Sequence, residues 1–467
     1  MIFGAALVVR TYRLHEFPPG LHNDEAANGL DVLNILEGKN SVFFPRNQGR
    51  EPLFIYLQAA VVALLGATPY ALRLTAAIIG ALAVPAAYWM VREAFVGSTL
   101  GPRRLATWTA LFMAFGYWHI SMSRIGFRAN MLPLLAAITF ALFWRAWRKL
   151  TEEHKFPTLW LILTGVALGV SLYTYTAARM LPVLVVIVAG FSLFQRGMTG
   201  KQRLQVIGAV AMIAVVSAVV FAPLGLYYLQ HPDAFIGRTA AVFVFNPSAE
   251  GDGAPATLPE TVLQTALMFF ASADPNLRHN PAAQSATDFV LGLWLVAGIF
   301  ISVIRWRRRP YFFLLAWFVL FSLPAVLSSE GIPHSLRAIG MIPIVYVLPV
   351  VAMVLAGQWL TPRWHILRNW LPLPFLLFSA TTSVYSYFSV WSDLREFDGA
   401  FLGNYVQLAD DLGAHGSADS VWLLPLSPNY FNITKTFWQL IFSTMTQPVI
   451  RPCTPIRRLQ RKPWRRN

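Results

Sequence analysis

The chain has 467 residues, of which 56% are hydrophobic and 13% are charged. Its mean hydropathy of +0.52 is far above that of a soluble domain with a polar surface. The formal net charge of +15 does not indicate nucleic-acid binding, because most basic residues lie between apolar runs rather than on one solvated face. Composition therefore excludes a water-soluble globular protein and predicts an integral membrane protein.

The sequence carries no signature of a metal or cofactor site. A single cysteine, Cys453, excludes an internal disulfide framework, and no Cys/His cluster has zinc spacing. There is no Walker-type or Gly-x-Gly-x-x-Gly loop, and no Asp-x-Asp pair that would hold a metal-bound nucleotide diphosphate. We therefore expect neither a metal nor a cofactor.

Long apolar runs recur from the start of the chain. The opening run 1–9 is too short to cross a bilayer and is typical of a clipped first helix, since a signal peptide would carry a basic start and a cleavage site. Ten further runs of about 14 to 25 residues have the length of spanning or tightly bundled helices. They are 74–91, 105–120, 131–144, 156–175, 180–194, 204–228, 289–304, 311–327, 338–360 and 370–390. The pattern predicts an all-α polytopic bundle of about eleven transmembrane helices.

Basic residues in the short loops predict the orientation of the bundle. One alternate set of loops holds sixteen cations: Arg92, Arg103, Arg104, Arg145, Arg148, Lys149, Lys155, Arg196, Lys201, Arg203, Arg305, Arg307, Arg308, Arg309, Arg363 and Arg368. The opposite short loops hold four: Arg124, Arg128, Arg179 and Arg337. The first set is predicted to be cytoplasmic and the second exterior, in a plasma (inner) membrane. This alternation requires that 52–66 forms a helix in the exterior interface and does not cross.

Three long segments then fall on the exterior side, namely 10–73, 229–288 and 391–467. Residues 1–400 are predicted to form one transmembrane module. Residues 401–467 are predicted to form an exterior C-terminal segment that is partly disordered, because its last part, 451–467, carries seven cations and three prolines with little apolar periodicity.

The first exterior segment contains two adjacent carboxylates at a predicted helix start. Asn23 can cap a helix with apolar residues at helical spacing, and Gly38 can end it. Asp24 and Glu25 then fall in the first turn. Acidic residues there commonly do no more than stabilise the helix, so this pattern alone leaves a structural and a catalytic interpretation open.

Five motifs follow one another along the chain: LHNDEAAN (21–28), GREPLFIY (49–56), YALRL (70–74), SRIGFRANML (123–132) and PHSLRAIG (333–340). In this order they resemble the protein O-mannosyltransferase and aminoarabinose transferase superfamily, which are C-type glycosyltransferases. The resemblance covers residues 1 to about 400. Protein-mannosylating members carry an aspartate shortly after the Ser-Arg motif, where this chain has Asn130.

The resemblance implies transfer of a sugar from a polyprenyl-phosphate donor to a hydroxyl of a protein or lipid acceptor outside the cytoplasm. The acid that matches the family's base is Asp24, with Glu25 as its orienting neighbour. The implied partners are the donor, the acceptor and membrane lipids, with no nucleic acid. Two other interpretations stay open at this point, a multi-pass lipid or sugar transporter and a non-catalytic relative. Transporters typically show repeated halves and ionisable residues within their spans.

Several polar residues are candidates for substrate binding. A leaving phosphate needs fixed cations, and predicted exterior helix ends supply Arg124, Arg128, Arg179, His334 and Arg337. For each arginine alone, the other interpretation is a side chain that reaches lipid headgroups. Further candidates lie at the head of the interfacial helix and in the second exterior segment: Arg50, Glu51, Asp274, Arg278 and His279. A surface ion pair and a turn are the structural interpretations of these two groups.

Overall fold

The computed structural model describes residues 1–153, 155–195, 198–246, 257–280, 284–329, 331–359, 369–390 and 400–401. Within these ranges the chain forms sixteen α-helices and several 3-10 turns, and the extended pairing there is limited to two isolated bridges. The predicted all-α architecture is confirmed. The predicted segment 401–467 lies outside the described residues except for residue 401, as do Arg196, Arg363 and Arg368.

The helices follow one another with short connections through most of the chain. The first eight are α1 (Ile2–Thr11), α2 (Asn23–Leu36), α3 (Leu53–Leu65), α4 (Pro69–Ala94), α5 (Pro102–Phe115), α6 (Tyr117–Ser123), α7 (Met131–Thr151) and α8 (Thr158–Ser171). The next eight are α9 (Met180–Leu193), α10 (Gly200–Gln230), α11 (Pro232–Ala241), α12 (Leu258–Leu267), α13 (Phe289–Ile304), α14 (Arg309–Val326), α15 (Ile342–Trp359) and α16 (Pro372–Tyr385). Three 3-10 turns, Arg128–Asn130, Thr176–Arg179 and Ile339–Met341, lead directly into α7, α9 and α15.

Six helical segments are long and apolar enough to cross a membrane. They are Pro69–Ala94, Arg128–Thr151, Thr176–Leu193, Gly200–Gln230, Arg309–Val326 and Ile339–Trp359. Four shorter apolar helices, α1, α3, α8 and α13, have 10 to 17 residues. With 13 residues, α3 falls short of the roughly 20 that a helix needs to cross.

The core of the bundle forms around α15. In the most apolar part of Ile339–Trp359, 94% of the residues are buried inside the protein, against 22% in Gly200–Gln230. Helix α13 packs closely on α15 because Gly298 lies against the Leu348 carbonyl, where a side chain would collide. The exposed apolar surface of α10 is what a helix facing lipid needs.

The two ends of the bundle differ in their polar groups. One end brings together α2, α11, the starts of α7 and α9, and the end of α14 around a cavity. At the opposite end, Glu93 at the close of α4 pairs with Arg148 at 2.7 Å and with Arg145 at 3.6 Å. Arg145 and Arg148, which the sequence assigns to the cytoplasmic side, therefore lie at the other end of the bundle from Arg128 and Arg179, which line the cavity.

Candidate active site

A cavity of about 440 Å³ lies at the α2 end of the bundle, within the range of about 300–1,000 Å³ typical of small-molecule sites. In the part of the chain that the structure describes, its lining has one carboxylate, that of Asp24, and five arginines: Arg50, Arg128, Arg179, Arg238 and Arg337. The remaining wall is largely apolar and includes Phe127, Met180, Phe235, Val242, Phe243, Leu323 and Leu327. The part of this cavity that is lined by arginines can therefore bind an anion, and the apolar part can bind a hydrocarbon chain.

Helix α2 begins one residue earlier than predicted, because His22 and not Asn23 is the N-cap. The His22 backbone is extended (φ −75°, ψ 156°), and its ring nitrogen Nδ1 lies 3.2 Å from the Asp24 amide. Glu25 completes a capping box by accepting from the His22 amide at 3.1 Å. The predicted cap at Asn23 is wrong, since the helix has already started there, but Asp24 and Glu25 do occupy its first turn.

The Asp24 side chain faces the cavity and is 37% exposed. Its Oδ1 accepts a hydrogen bond from the Asn47 side-chain amide. Burial by itself would raise the pKa of Asp24, but His22, Asn47, Arg278 and Arg128 together outweigh it and lower the pKa below its ordinary value. Asp24 is therefore ionised at neutral pH, as a base must be.

Glu25 points the other way, into the protein, and is fully buried. The Arg73 guanidinium holds both of its oxygens at 2.8 Å, and the Gly126 amide donates to Oε1 at 2.9 Å. A side chain at Gly126 would come within 3.2 Å of Glu25, so Glu25 would have to shift by a few tenths of an ångström to admit one. Burial would raise the pKa of Glu25, yet Arg73 outweighs it and lowers the pKa. Glu25 does not line the cavity, and its geometry is that of a structural ion pair.

Arg50 and Glu51 are buried side chains, which excludes the surface ion pair. Arg50 lines the cavity and binds Asp31 and the Asn28 side-chain oxygen. Burial lowers the pKa of Arg50 to about 10 even though Asp31 opposes it, so the guanidinium stays charged at neutral pH. Glu51 does not line the cavity; it lies 2.9 Å from Arg128 Nε.

Three of the predicted phosphate-binding arginines meet at the cavity. Arg128 is oriented by Glu51 and donates to the Gly49 carbonyl at 3.2 Å. Arg179 donates to the Phe235 carbonyl at 2.8 Å, and Arg337 to the Ser328 hydroxyl. His334 lines the same wall, and burial together with the nearby Arg337 lowers its pKa well below the usual value. His334 is therefore neutral there and can donate or accept a hydrogen bond.

Arg124 does not reach the cavity, so its grouping with the other exterior arginines is corrected. Its guanidinium is fully buried and donates to four backbone carbonyls at 2.8 to 3.1 Å, those of Val9, Arg10, Tyr12 and Phe17. These carbonyls belong to the end of α1 and the turn after it. Arg124 therefore closes a helix end and fastens α1 to the bundle.

Asp274, Arg278 and His279 lie beside the cavity and not in its lining. Asp274 accepts from the Ser335 amide at 2.7 Å and lies 3.1 Å from His279 Nδ1. Asp274, His279 and His334 each offer one ligand atom, and these three atoms lie within 4.8 Å of one another. Sequence spacing missed this set because His334 is far along the chain. Since Asp274 is already engaged by Ser335 and His279, the contacts form a hydrogen-bonded cluster.

Sequence reasoning also missed Arg238, Asn47 and Gln48. Arg238 projects from α11 and binds the Gln48 side chain, and all three line the cavity. The sequence around Arg238 did indicate a short helix, because Pro232 can open one, with an acid in its first turn and Arg238 in its last. Asn47 and Gln48 occupy positive-φ positions of a tight turn, and nothing in their spacing sets them apart.

The sequence and the fold are each similar to those of known proteins. Residues 48–235 match the family model described as dolichyl-phosphate-mannose-protein mannosyltransferase. No curated protein matches the sequence. The fold is similar to ArnT from Cupriavidus metallidurans bound to undecaprenyl phosphate, with a TM-score of 0.61, 15% identity, and coverage of 91% of this chain and 82% of that one.

Two archaeal structures share the fold over a smaller part of their length. The Archaeoglobus fulgidus oligosaccharyltransferase with Zn and sulfate has a TM-score of 0.56 and 15% identity, and coverage is 91% of this chain and 59% of that one. AglB from the same organism, with an inhibitory peptide and a dolichol-phosphate, has a TM-score of 0.55 and 14% identity, with coverage of 95% and 63%. This chain thus spans about three fifths of those proteins. The match of residues 48–235 to the model of the dolichyl-phosphate-mannose-protein mannosyltransferase family agrees with the resemblance that the ordered motifs indicated.

Proposed function

We propose that the protein is a membrane glycosyltransferase that moves a hexosyl or pentosyl unit from a polyprenyl-phosphate carrier to a hydroxyl of a protein or lipid acceptor. The observation that carries this proposal is the lining of the cavity, where the ionised Asp24 faces several arginines. The family match supports it. So does the fold shared with proteins whose structures hold undecaprenyl phosphate and dolichol-phosphate.

Asp24 acts as the base in this proposal. The acceptor O–H bond breaks and its proton passes to Oδ2 of Asp24, the oxygen that Asn47 does not bind, while the acceptor oxygen bonds to the anomeric carbon. The bond from that carbon to the phosphate oxygen breaks, and its electron pair leaves with the phosphate. Asn47 holds the other oxygen of Asp24 and so fixes the direction in which the carboxylate accepts the proton.

The arginines bind the carrier phosphate, which gains one negative charge as it leaves. Groups aimed at charge that develops in the transition state lower the barrier more than groups that bind the ground state. Arg128, Arg179 and Arg337 are held in place by Glu51, the Phe235 carbonyl and Ser328. Their fixed positions favour the leaving group without rearrangement.

The apolar wall receives the first units of the polyprenyl chain. It is formed by Phe235 and Phe243, in and just after α11, and by Leu323 and Leu327, near the end of α14. Residues 242–244 and 327–329 are joined there by backbone hydrogen bonds. The chain of the donor lies along this wall in our proposal, with its phosphate toward the arginines.

The topology that goes with this function has about eleven spans in a plasma (inner) membrane, with the cavity on the exterior face. Single-cysteine labelling tests it after replacement of Cys453, which is the chain's one cysteine. A cysteine at position 24, where the side chain is partly exposed, is expected to react with an impermeant reagent from outside. A cysteine at position 307 is expected to react only after the membrane is opened. Equal labelling of positions 24 and 307 from outside would contradict the topology.

Sugar transfer by the purified full-length protein tests the activity. The protein in detergent is mixed with undecaprenyl-phosphate sugars labelled in the sugar, covering neutral hexoses, a pentose and an aminopentose, and with peptide and lipid acceptors in parallel. We expect label from one donor to move to one acceptor class. Intact donor crossing proteoliposomes, with no transfer under any condition, would instead identify a transporter.

A further inference from the structure

His22 lies between Asp24 and Arg278 and makes two contacts that one neutral ring cannot satisfy together. Its Nδ1 is 3.2 Å from the Asp24 amide, which is a donor. Its Nε2 contacts the Arg278 guanidinium, which is also a donor. A neutral imidazole accepts at one nitrogen only, so one of these two contacts is not a hydrogen bond.

The ring cannot escape the conflict by gaining a proton, because an imidazolium accepts at neither nitrogen. His22 is buried, and burial, with Arg278 adding to it, lowers its pKa to about 4. At neutral pH the ring is therefore neutral, and the question is which nitrogen carries its single proton.

The stronger donor decides this choice. A charged guanidinium forms a stronger hydrogen bond than a backbone amide, and it is always protonated. Arg278 is also positioned for the contact, because Asn276 Oδ1 accepts from its Nε at 2.9 Å and from its backbone amide at 3.1 Å. Nε2 therefore accepts from Arg278, and the proton of His22 is on Nδ1.

With its proton on Nδ1, His22 presents a donor to the carboxylate of Asp24, whose Oδ2 lies 3.7 Å away. That distance is longer than a hydrogen bond, so the inference requires Oδ2 to move toward Nδ1. Asn47 already donates to Oδ1, so the carboxylate would be held from two directions. The helix loses the His22 side chain as its cap but keeps the bond from the His22 amide to Glu25.

The geometry points to His22 and Arg278 as positioning residues for Asp24: Arg278 fixes the histidine in the Nδ1–H tautomer, and that tautomer orients the carboxylate. This inference rests on the proposed role of Asp24 as the base. It replaces the predicted direct contact of Arg278 with substrate by an action through His22. It also gives the buried histidine of the LHNDE motif a function that the motif alone does not reveal.

The tautomer can be measured without any substrate. Full-length protein is labelled with the heavy nitrogen isotope in histidine, and the resonances of His22 are assigned by difference from His22→Gln. We expect Nδ1 to be protonated in the wild type, and the proton to move to Nε2 in Arg278→Met, which lacks a donor. Arg278→Lys, which keeps a charged donor, is expected to retain the wild-type tautomer. A protonated Nε2 in the wild type, or no change in Arg278→Met, would overturn the inference.

Kinetics with the labelled donor supply a second measurement. Arg278→Met is expected to lower kcat roughly tenfold while KM for the donor changes less than about twofold, because a positioning residue acts on the transition state. Arg203→Met, at an exposed site on α10, is the control. A higher KM with unchanged kcat would show that Arg278 binds substrate directly and would overturn the inference.

The pH dependence of kcat distinguishes a positioning role of Arg278 from a role in folding. Charged and titratable groups that face or adjoin Asp24 are His22, Glu25, Arg50, Arg128, Arg179, Arg238, Arg278, His334 and Arg337. Among them, Arg278 helps to lower the pKa of Asp24, so its loss should move the acidic limb of kcat toward higher pH. An unmoved limb contradicts the inference. If no donor is turned over by the wild type, the proposed function fails, whereas the tautomer measurement still stands.

Discussion

Asp24 and Glu25 are neighbours in the sequence, yet in the first turn of α2 one side chain faces the cavity and the other faces the protein interior. Asp24 faces a cavity that is also lined by the guanidinium groups of five arginines. Glu25 is enclosed by Arg73, Gly126 and the amide of His22, which occupy both of its oxygens. A carboxylate whose acceptor sites are filled has no capacity left for a substrate proton. Asp24 is therefore placed to react with substrate, whereas Glu25 is placed to stabilise the fold, and this difference can be tested.

The largest effect is expected for Asp24→Asn, which removes the proton acceptor but keeps the size of the side chain. Turnover should fall by about 10² or more, because a general base contributes on the order of 10² to 10⁴ in rate. Sugar transfer by detergent-purified protein measures it. Asp233→Asn, in the exposed first turn of α11, is the matched control. Wild-type turnover in a folded Asp24→Asn protein would remove Asp24 from the mechanism.

Glu25→Gln should act on stability. Breaking a buried ion pair by removing one charge costs about 3–5 kcal/mol, and Arg73 would be left buried without a counter-charge. Because the pKa of Glu25 is lowered in the folded protein, its stabilisation is present above its ordinary value of 4.5 and is lost as pH falls below it. Thermal unfolding in detergent at neutral and acidic pH measures both effects, with Glu260→Gln in the first turn of α12 as control. Equal stability of Glu25→Gln and wild type would show that the pair is not structural.

Single neutralisation of Arg179, Arg238 or Arg337 should weaken donor binding roughly tenfold each, since a hydrogen bond to a charged group contributes about 1.5–3 kcal/mol. Binding of undecaprenyl phosphate to each arginine-to-glutamine variant measures the loss. Acceptor binding should change less. Arg124→Gln serves as the contrast, because it is expected to lower stability and leave donor affinity in the folded fraction unchanged. Undiminished donor affinity in all three cavity variants would contradict the phosphate site.

The smallest change is Gly126→Ala, which brings a methyl group within 3.2 Å of Glu25 and 3.3 Å of Gln58. Overpacking of a filled site costs about 1–3 kcal/mol. We expect a modest loss of thermal stability, with donor affinity retained. Gly190→Ala on α9, where a side chain meets open space, is the control. A stability loss as large as that of Glu25→Gln would mean that the substitution breaks the ion pair.

The sequence predicted those features that depend on local patterns. Apolar run length predicted helices such as α7 and α15, and alternating basic loops predicted that Arg128, Arg179 and Arg337 share one end. It could not separate Arg124 from them, because whether a guanidinium meets carbonyls or a cavity depends on how α1 packs. Long-range contacts also decide the roles of His22 and Arg278, which are 256 positions apart. Neighbouring residue types do not encode such contacts.

The 3-10 turns that precede α7 and α9 have a consequence for how the site holds an anion. Both helices start at the cavity, and the 3-10 turns supply carbonyl partners for their first amides, those of Met131 and Met180. Aligned peptide dipoles give each helix start a partial positive charge of about half a unit. This part of the attraction belongs to the main chain and survives every side-chain substitution at the arginines. In the proposed mechanism, the helix starts and the arginines therefore attract the carrier phosphate together.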